Sequence, residues 1–118
     1  MPDIVRDVFT AFVRVHLLHH ASEQPIYGVA MIDELARHGY RLSPGTLYPI
    51  FRGLEEAGFL RSEPAVVDGK VRKYYRITAA GRSALEGFKT KIRELVGEAL
   101  YGAKAPAVKA MKRKTAHR

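Results

Sequence analysis

The feature that most constrains the fold is the dipeptide Asp68-Gly69, a favoured two-residue turn between antiparallel strands. Its flanks are rich in β-branched and aromatic residues, so the pattern predicts a β-hairpin over residues 60–78. A two-residue loop fixes the register and places Leu60 opposite Ile77 on the packed face. The other face is then predicted to carry Arg72, Tyr74 and Arg76.

A first helix is predicted over residues 4–20, followed by a loop over residues 21–25. Apolar residues cover most of the circumference of this helix, far more than the single stripe of an ordinary surface helix. Such a helix needs burial on two sides, by its own core and by a second chain. We therefore expect Val8 and Phe12 to lie at a dimer interface.

Two shorter helices are predicted before the hairpin. The second helix ends at Gly39, which can adopt the left-handed conformation, and its predicted apolar face comprises Val29, Ile32, Leu35 and Ala36. Ser43 can cap the third helix, Pro44 suits its first position, and Gly58 ends it. The order of elements predicts a mainly α fold with a small β-hairpin, the arrangement of a winged helix-turn-helix.

A final helix is predicted after Thr78, whose side chain can cap it. Its apolar residues alternate spacings of four and three, which is typical of a helix that packs along another in a dimer. This seam comprises Gly81, Leu85, Phe88, Ile92, Leu95 and Ala99. We accordingly divide the chain into a DNA-binding domain, a C-terminal dimerisation helix and a basic tail at residues 4–78, 79–101 and 102–118.

The net charge of +8 favours a polyanionic partner such as nucleic acid. Residues 103–118 supply +6 of it without an acidic residue, so they are expected to be a solvated, disordered tail. The chain has no cysteine, which excludes disulfides and thiolate metal sites and suits a reducing compartment. No apolar run approaches the roughly 20 residues of a membrane span, so we expect a cytoplasmic protein without membrane contact.

In a winged helix-turn-helix the third helix enters the major groove of duplex DNA and the hairpin forms the wing. Leu47, Ile50 and Leu54 are predicted to face the core. The candidate DNA-binding residues are Ser43, Thr46, Tyr48, Pro49 and Arg52 of this helix and Lys70, Arg72 and Lys73 of the wing. The alternatives are that Thr46 caps the helix, that Pro49 bends it, that Tyr48 packs sideways and that the wing charges are merely solvated.

Three motifs resemble the PadR-like transcriptional regulators. They are Tyr27-Gly28 at the start of the second helix, LSPGTLYPIFRGLEEAGFL over residues 42–60 and KYYRITAAG over residues 73–81. With the spacing between them, the resemblance covers about residues 8–100 and is to the short subfamily with one C-terminal dimerisation helix. It implies a homodimeric repressor, responsive to a small-molecule effector, that binds a pseudo-palindromic operator.

The sequence departs from the family pattern at two points. Gly53 stands where members usually have a basic residue, and Arg52 lies one position earlier. The resemblance therefore does not identify which residue contacts the DNA backbone at this point. Some short members stack an aromatic ligand between tryptophans of the final helix, and this chain has no tryptophan. The effector therefore stays unidentified, and no cofactor is expected.

Two rival classes of function can be weighed against DNA binding. An enzyme is disfavoured, because neither Ser43 nor Ser62 has a nearby pattern of His and Asp and no phosphate-binding glycine loop is present. Metal binding is the alternative function, because His16, His19 and His20 cluster at the end of the first helix. His16 and His20 share a helix face, where a core or interface histidine is the other interpretation. A winged helix that binds only protein is a third class.

Overall fold

The computed structural model describes residues 3–102, which form four helices and one two-stranded hairpin. In chain order the elements are α1 (Ile4–Glu23), α2 (Gly28–Arg37), α3 (Pro44–Glu56), β1 (Leu60–Val67), β2 (Lys70–Ile77) and α4 (Ala79–Ala99). This confirms the predicted mainly helical fold with one antiparallel hairpin. The predicted basic tail falls, from residue 103 onward, outside the described residues.

Short-range signals set the helix ends. The Ser43 hydroxyl accepts a hydrogen bond from the Thr46 backbone N–H at 3.3 Å, and the Thr78 hydroxyl oxygen accepts one from the Gly81 N–H at 3.0 Å. Gly39 follows α2 with a φ of +90°, a conformation that side chains with a Cβ rarely adopt. The predicted caps of α3 and α4 and the end of α2 are thus confirmed.

Helix α1 is longer than predicted. It continues to Glu23, through part of the predicted loop at residues 21–25. The extra turn forms because Ala21, only 4% exposed, belongs to the hydrophobic core and is a strong helix former. The polar residues around it, which suggested a loop, lie on the outer side of the helix.

The hairpin has the predicted register. Leu60 pairs with Ile77, and Asp68 and Gly69 form the turn with φ of 52° and 77°. The middle of β2 gains a further partner, because the Tyr75 N–H donates to the Ile26 carbonyl at 2.7 Å. That bridge ties the hairpin to the chain between α1 and α2.

The core joins α1, α2, α3 and the base of the hairpin. Its most buried large side chains are Phe51, Leu17, Leu18, Leu35, Leu47, Leu60 and Val13. The predicted inward residues of α3, Leu47 among them, are confirmed as buried. The prediction for Val29 is wrong, because its side chain is 60% exposed and Met31 takes the buried place, at 7%.

The chain divides into two compact units, one ending at Leu85 and the other beginning at Glu86. The division lies inside α4, since Gly81 and Leu85 pack in the core of the first unit. At 2% exposure Leu85 has almost no surface left for a second chain, which removes it from the predicted dimer seam. Among residues 3–102, no helix combines the length and apolar character that a membrane crossing requires.

Apolar side chains remain exposed on both units. On the first unit they lie in the N-terminal half of α1 and comprise Ile4, Val5, Val8, Phe9 and Phe12. On the second unit they comprise Phe88, Ile92, Leu95, Leu100 and Tyr101. We call these sets the α1 apolar surface and the α4 apolar surface.

Candidate nucleic-acid interface

Helix α3 has one buried and one exposed face, as a helix that reads DNA requires. Leu47, Ile50, Phe51 and Leu54 are buried and hold the helix against the core. The predicted contact residues Thr46, Tyr48, Pro49 and Arg52 are all exposed. The burial of the inner face therefore presents the outer face as a preformed surface.

The start of α3 is held by its own polar side chains. Ser43 caps the helix, and its hydroxyl lies 3.3 Å from the hydroxyl of Thr46. Both residues thus have a structural role at the start of the helix. Pro49 lies within the helix, where its missing N–H removes the hydrogen bond to the Gly45 carbonyl.

Tyr48 does not extend freely into solvent. A Cβ built on Gly28 would lie 2.4 Å from the Tyr48 hydroxyl oxygen, so the ring passes directly over the first residue of α2. Tyr48 is 39% exposed, and its ring centroid lies 6.3 Å from that of Phe51. Glycine at position 28 therefore allows α3 and the start of α2 to come together with the tyrosine between them.

A concavity beside Tyr48 brings the third helix and the wing to one place. Its lining consists of Tyr27, Gly28, Val29, Tyr48, Lys70, Val71, Arg72 and Lys73. Three of these side chains are cationic, and no carboxylate lines this concavity in the described part of the chain. A surface of this composition suits the phosphate backbone of a nucleic acid.

The cations of β2 are held by aromatic rings. The Arg72 guanidinium carbon lies 4.4 Å from the centroid of the Tyr27 ring, and the Lys73 Nζ lies 5.9 Å from that of Tyr75. The rings of Tyr27 and Tyr74 are in turn 5.2 Å apart. Arg72 is accordingly positioned by the Tyr27 ring, which itself packs against Tyr74, whereas a solvated surface arginine has no such contact.

Farther along β2, Arg76 is paired within the protein. Its Nε donates to Glu63 at 2.5 Å, and hydrogen bonding to Arg76 lowers the pKa of Glu63. The predicted polar face of the hairpin is therefore divided: Arg72 faces the concavity, while Arg76 has its charge balanced by a carboxylate.

The structure brings together four of the predicted contact residues, namely Tyr48, Lys70, Arg72 and Lys73. The other four do not line the concavity: Ser43 caps α3, and Thr46, Pro49 and Arg52 lie elsewhere on that helix. Sequence reasoning missed Tyr27 and Gly28 as parts of the site. Their signal was present, because the Tyr27-Gly28 pair was one of the three motifs of the family resemblance.

The histidines form a separate cluster. His16 is half-buried, with its ring 4.9 Å from that of His38 and 5.5 Å from that of Tyr40. Burial lowers the pKa of His16 and, against the attraction of Glu34, that of His20. His19, by contrast, is exposed and lies beside Glu23.

Residues 17–87 match the model of the transcriptional regulator PadR-like family. A relative in Mycobacterium tuberculosis, the transcriptional regulator Rv3488, is 49% identical over 98 residues. That alignment covers 83% of this chain and 92% of the relative.

Solved structures show the same architecture. A PadR family transcriptional regulator from Eggerthella lenta is 34% identical, with a TM-score of 0.69 over 82% of this chain and 88% of its own. A PadR-like transcription factor from Bacteroides fragilis shares the fold, with a TM-score of 0.70, 24% identity and coverage of 80% of this chain and 92% of its own.

Proposed function

Since the chain belongs to the PadR-like family of transcriptional regulators, we propose that it is a homodimeric, effector-responsive repressor that binds a pseudo-palindromic operator. It is a transcriptional regulator and not an enzyme. Its family binds DNA, and the proposal concerns how this chain does so. The outer face of α3 enters the major groove, and the wing holds the adjacent backbone.

The concavity between the start of α2, Tyr48 and β2 is the observation that carries this proposal. Its cations come from the wing, while Tyr48 comes from the helix that enters the groove. A phosphate bound there would fix the depth and angle of α3, because Tyr48 packs over Gly28 at the start of α2 and Arg72 of β2 packs over the neighbouring Tyr27 ring. Arg52 then reaches a base edge or a further phosphate from the exposed face.

Replacing Arg52 with alanine is expected to weaken operator binding by about 1–3 kcal/mol, which is roughly fivefold to 150-fold in Kd. Arg52 is exposed, so its loss removes a DNA contact without opening the core. The measurement is fluorescence anisotropy with a duplex that carries an inverted repeat from the DNA beside the gene. A melting curve of each variant checks that folding is unchanged.

The matched control is Arg14→Ala, which removes the same charge from an exposed position on α1. It should lower affinity only by the small effect of net charge. Tyr48→Phe, which keeps the ring over Gly28 and removes only the hydroxyl, tests a polar contact by that residue. If Arg52→Ala and Arg14→Ala bound operator equally well, α3 would not read DNA through its outer face.

The homodimer is supported by the two apolar surfaces. Exposed apolar side chains grouped along a helix generally mark a surface that another protein covers. Phe88, Ile92 and Leu95 are 39%, 38% and 61% exposed and follow the three-and-four spacing of a paired helix. On α1, the predicted interface residues Val8 and Phe12 are 47% and 43% exposed.

Leu95→Asp is expected to convert the dimer to monomers, because it would bury a carboxylate in an apolar interface. Sedimentation velocity over a range of protein concentrations measures the change. Val29→Asp is the control, since Val29 is 60% exposed, against 61% for Leu95, but lies on α2. A Leu95→Asp protein that sedimented as a dimer would exclude this helix from the interface.

Repression and an effector of unidentified chemistry remain parts of the proposal that rest on the family resemblance. A reporter gene under the flanking promoter, with and without this regulator, measures the direction of regulation. A protein that acts on chromosomal DNA in this way would work in the cytoplasm.

A further inference from the structure

Four of the five histidines lie close together, and the proposed DNA contacts use none of them. They are His16, His19 and His20 on α1 and His38 just after α2. The rings of His19 and His20 are 5.0 Å apart, and carboxylates lie on either side of them. Imidazole and carboxylate groups at such distances are the usual ligands of a transition metal.

Three donors stand out within this cluster. The side chains of His19, His20 and Glu23 can each offer one ligand atom, and these atoms all lie within 4.8 Å of one another. The His19 Nε2 is 3.8 Å from the Glu23 Oε2. Two ligands of one tetrahedral zinc ion are roughly 3.4 Å apart, so small side-chain rotations would bring the three atoms around one ion.

We propose that His19, His20 and Glu23 bind a divalent transition-metal ion such as Zn²⁺. Two imidazoles and one carboxylate favour Zn²⁺, Co²⁺, Ni²⁺ or Cu²⁺ over Mg²⁺ and Ca²⁺, which prefer oxygen ligands throughout. Water completes the coordination, because the side chains of His19 and Glu23 are 46% and 63% exposed.

The ligand set differs from the pair that the sequence suggested. His16 and His20 share a helix face, but their rings are stacked in near-parallel planes with centroids 6.2 Å apart. His16 instead packs against His38 and Tyr40. Of the predicted candidates, His20 therefore remains in the site and His16 does not.

Glu34 lies beside one of the proposed ligands, His20, and can orient its ring. Its Oε2 lies 3.6 Å from the His20 Nε2 and 3.1 Å from the His38 Nε2, while Arg37 donates to its other oxygen. A carboxylate beside a metal-binding imidazole fixes the orientation of the ring and strengthens it as a ligand. Because Glu34 belongs to α2, the ion would be tied to a second helix through His20.

None of the proposed ligands is a proposed DNA contact, so metal binding can be tested without DNA. Zn²⁺ is titrated into the untagged, chelator-treated full chain by isothermal calorimetry, and Co²⁺ absorption reports the coordination geometry. We expect one ion per chain and a melting temperature that rises with Zn²⁺ concentration, since an ion that binds only the folded state stabilises it. Mg²⁺ at the same concentration should produce no such rise.

His19→Gln and Glu23→Gln are the decisive variants, because both residues are exposed and their loss leaves the core intact. Each should weaken Zn²⁺ binding about tenfold or more and reduce the Co²⁺ absorption. The control His38→Gln removes a neighbouring imidazole outside the site and should change Zn²⁺ affinity by less than about tenfold. The proposal would be overturned if the parent protein did not bind Zn²⁺ or if both decisive variants bound it as the parent does. It would also be overturned if only His38→Gln lost Zn²⁺ binding.

Discussion

Phe51→Ala is expected to lower the free energy of unfolding by about 3–5 kcal/mol, the usual effect of removing a buried aromatic ring. Phe51 has no exposed surface, and its ring stacks on that of Tyr75 with centroids 4.1 Å apart and planes 10° apart. This contact joins α3 to β2. Its loss would leave a cavity between α3 and the strand that carries the cations Lys70, Arg72 and Lys73.

Chemical denaturation at one fixed protein concentration measures this change, since the stability of the proposed dimer would depend on concentration. Phe51→Leu is the control, because leucine fills much of the same volume and should cost much less than alanine. A loss below about 1 kcal/mol in Phe51→Ala would mean that the core collapses around the missing ring. The stacked pair would then contribute little to holding α3.

Gly81→Ala is expected to cost about 3 kcal/mol, even though alanine is the better helix former. A Cβ on Gly81 would lie 2.2 Å from the Phe59 carbonyl oxygen and 2.8 Å from the Ile77 Cγ1. The carbonyl is backbone, and it accepts a hydrogen bond from the Thr78 N–H at 3.0 Å, so it cannot rotate away. To make room for the added Cβ, the first turn of α4 would have to move away from the core.

Gly87→Ala is the matched control, because it makes the same substitution in the same helix. A Cβ on Gly87 would meet no atom within 4 Å. This variant should therefore gain up to about 1 kcal/mol from helix propensity. Thermal and chemical unfolding of the two variants should show shifts of opposite sign, and shifts of the same sign would refute the close approach at Gly81.

The outer face of α3, which we propose contacts DNA, was largely predictable from sequence as an exposed face. The period of α3 separates Leu47 and Leu54 from Tyr48 and Arg52, because a helix turns by a constant angle per residue. Which exposed residues meet one another was not predictable. The contact of Tyr48 with Gly28 depends on how closely α2 and α3 pack, and no local pattern contains that distance.

In the histidine cluster, too, the helix faces were predictable from the sequence and the contacts between side chains were not. Helical spacing alone brings His16 and His20 to one face and puts His19 on a neighbouring one. Helical spacing does not give the side-chain rotamers that place one donor atom each of His19, His20 and Glu23 within 4.8 Å of one another. The contact of His16 with His38 depends on how α1 packs against the residues at the end of α2. His38 and Glu34 come from later in the chain, so their part in the cluster exists only in the folded protein.

The local features could all be predicted from the sequence: the order of the elements, the hairpin register set by Asp68 and Gly69, and the cap at Ser43. These depend on backbone sterics and hydrogen bonds between residues a few positions apart. The burial of Met31, the exposure of Val29 and the place of Leu85 in the chain's own core became visible only in the folded structure. An apolar pattern in the sequence indicates that a side chain will be buried away from water. Which surface covers it depends on packing between elements far apart in the sequence, because burial is a property of the assembled core.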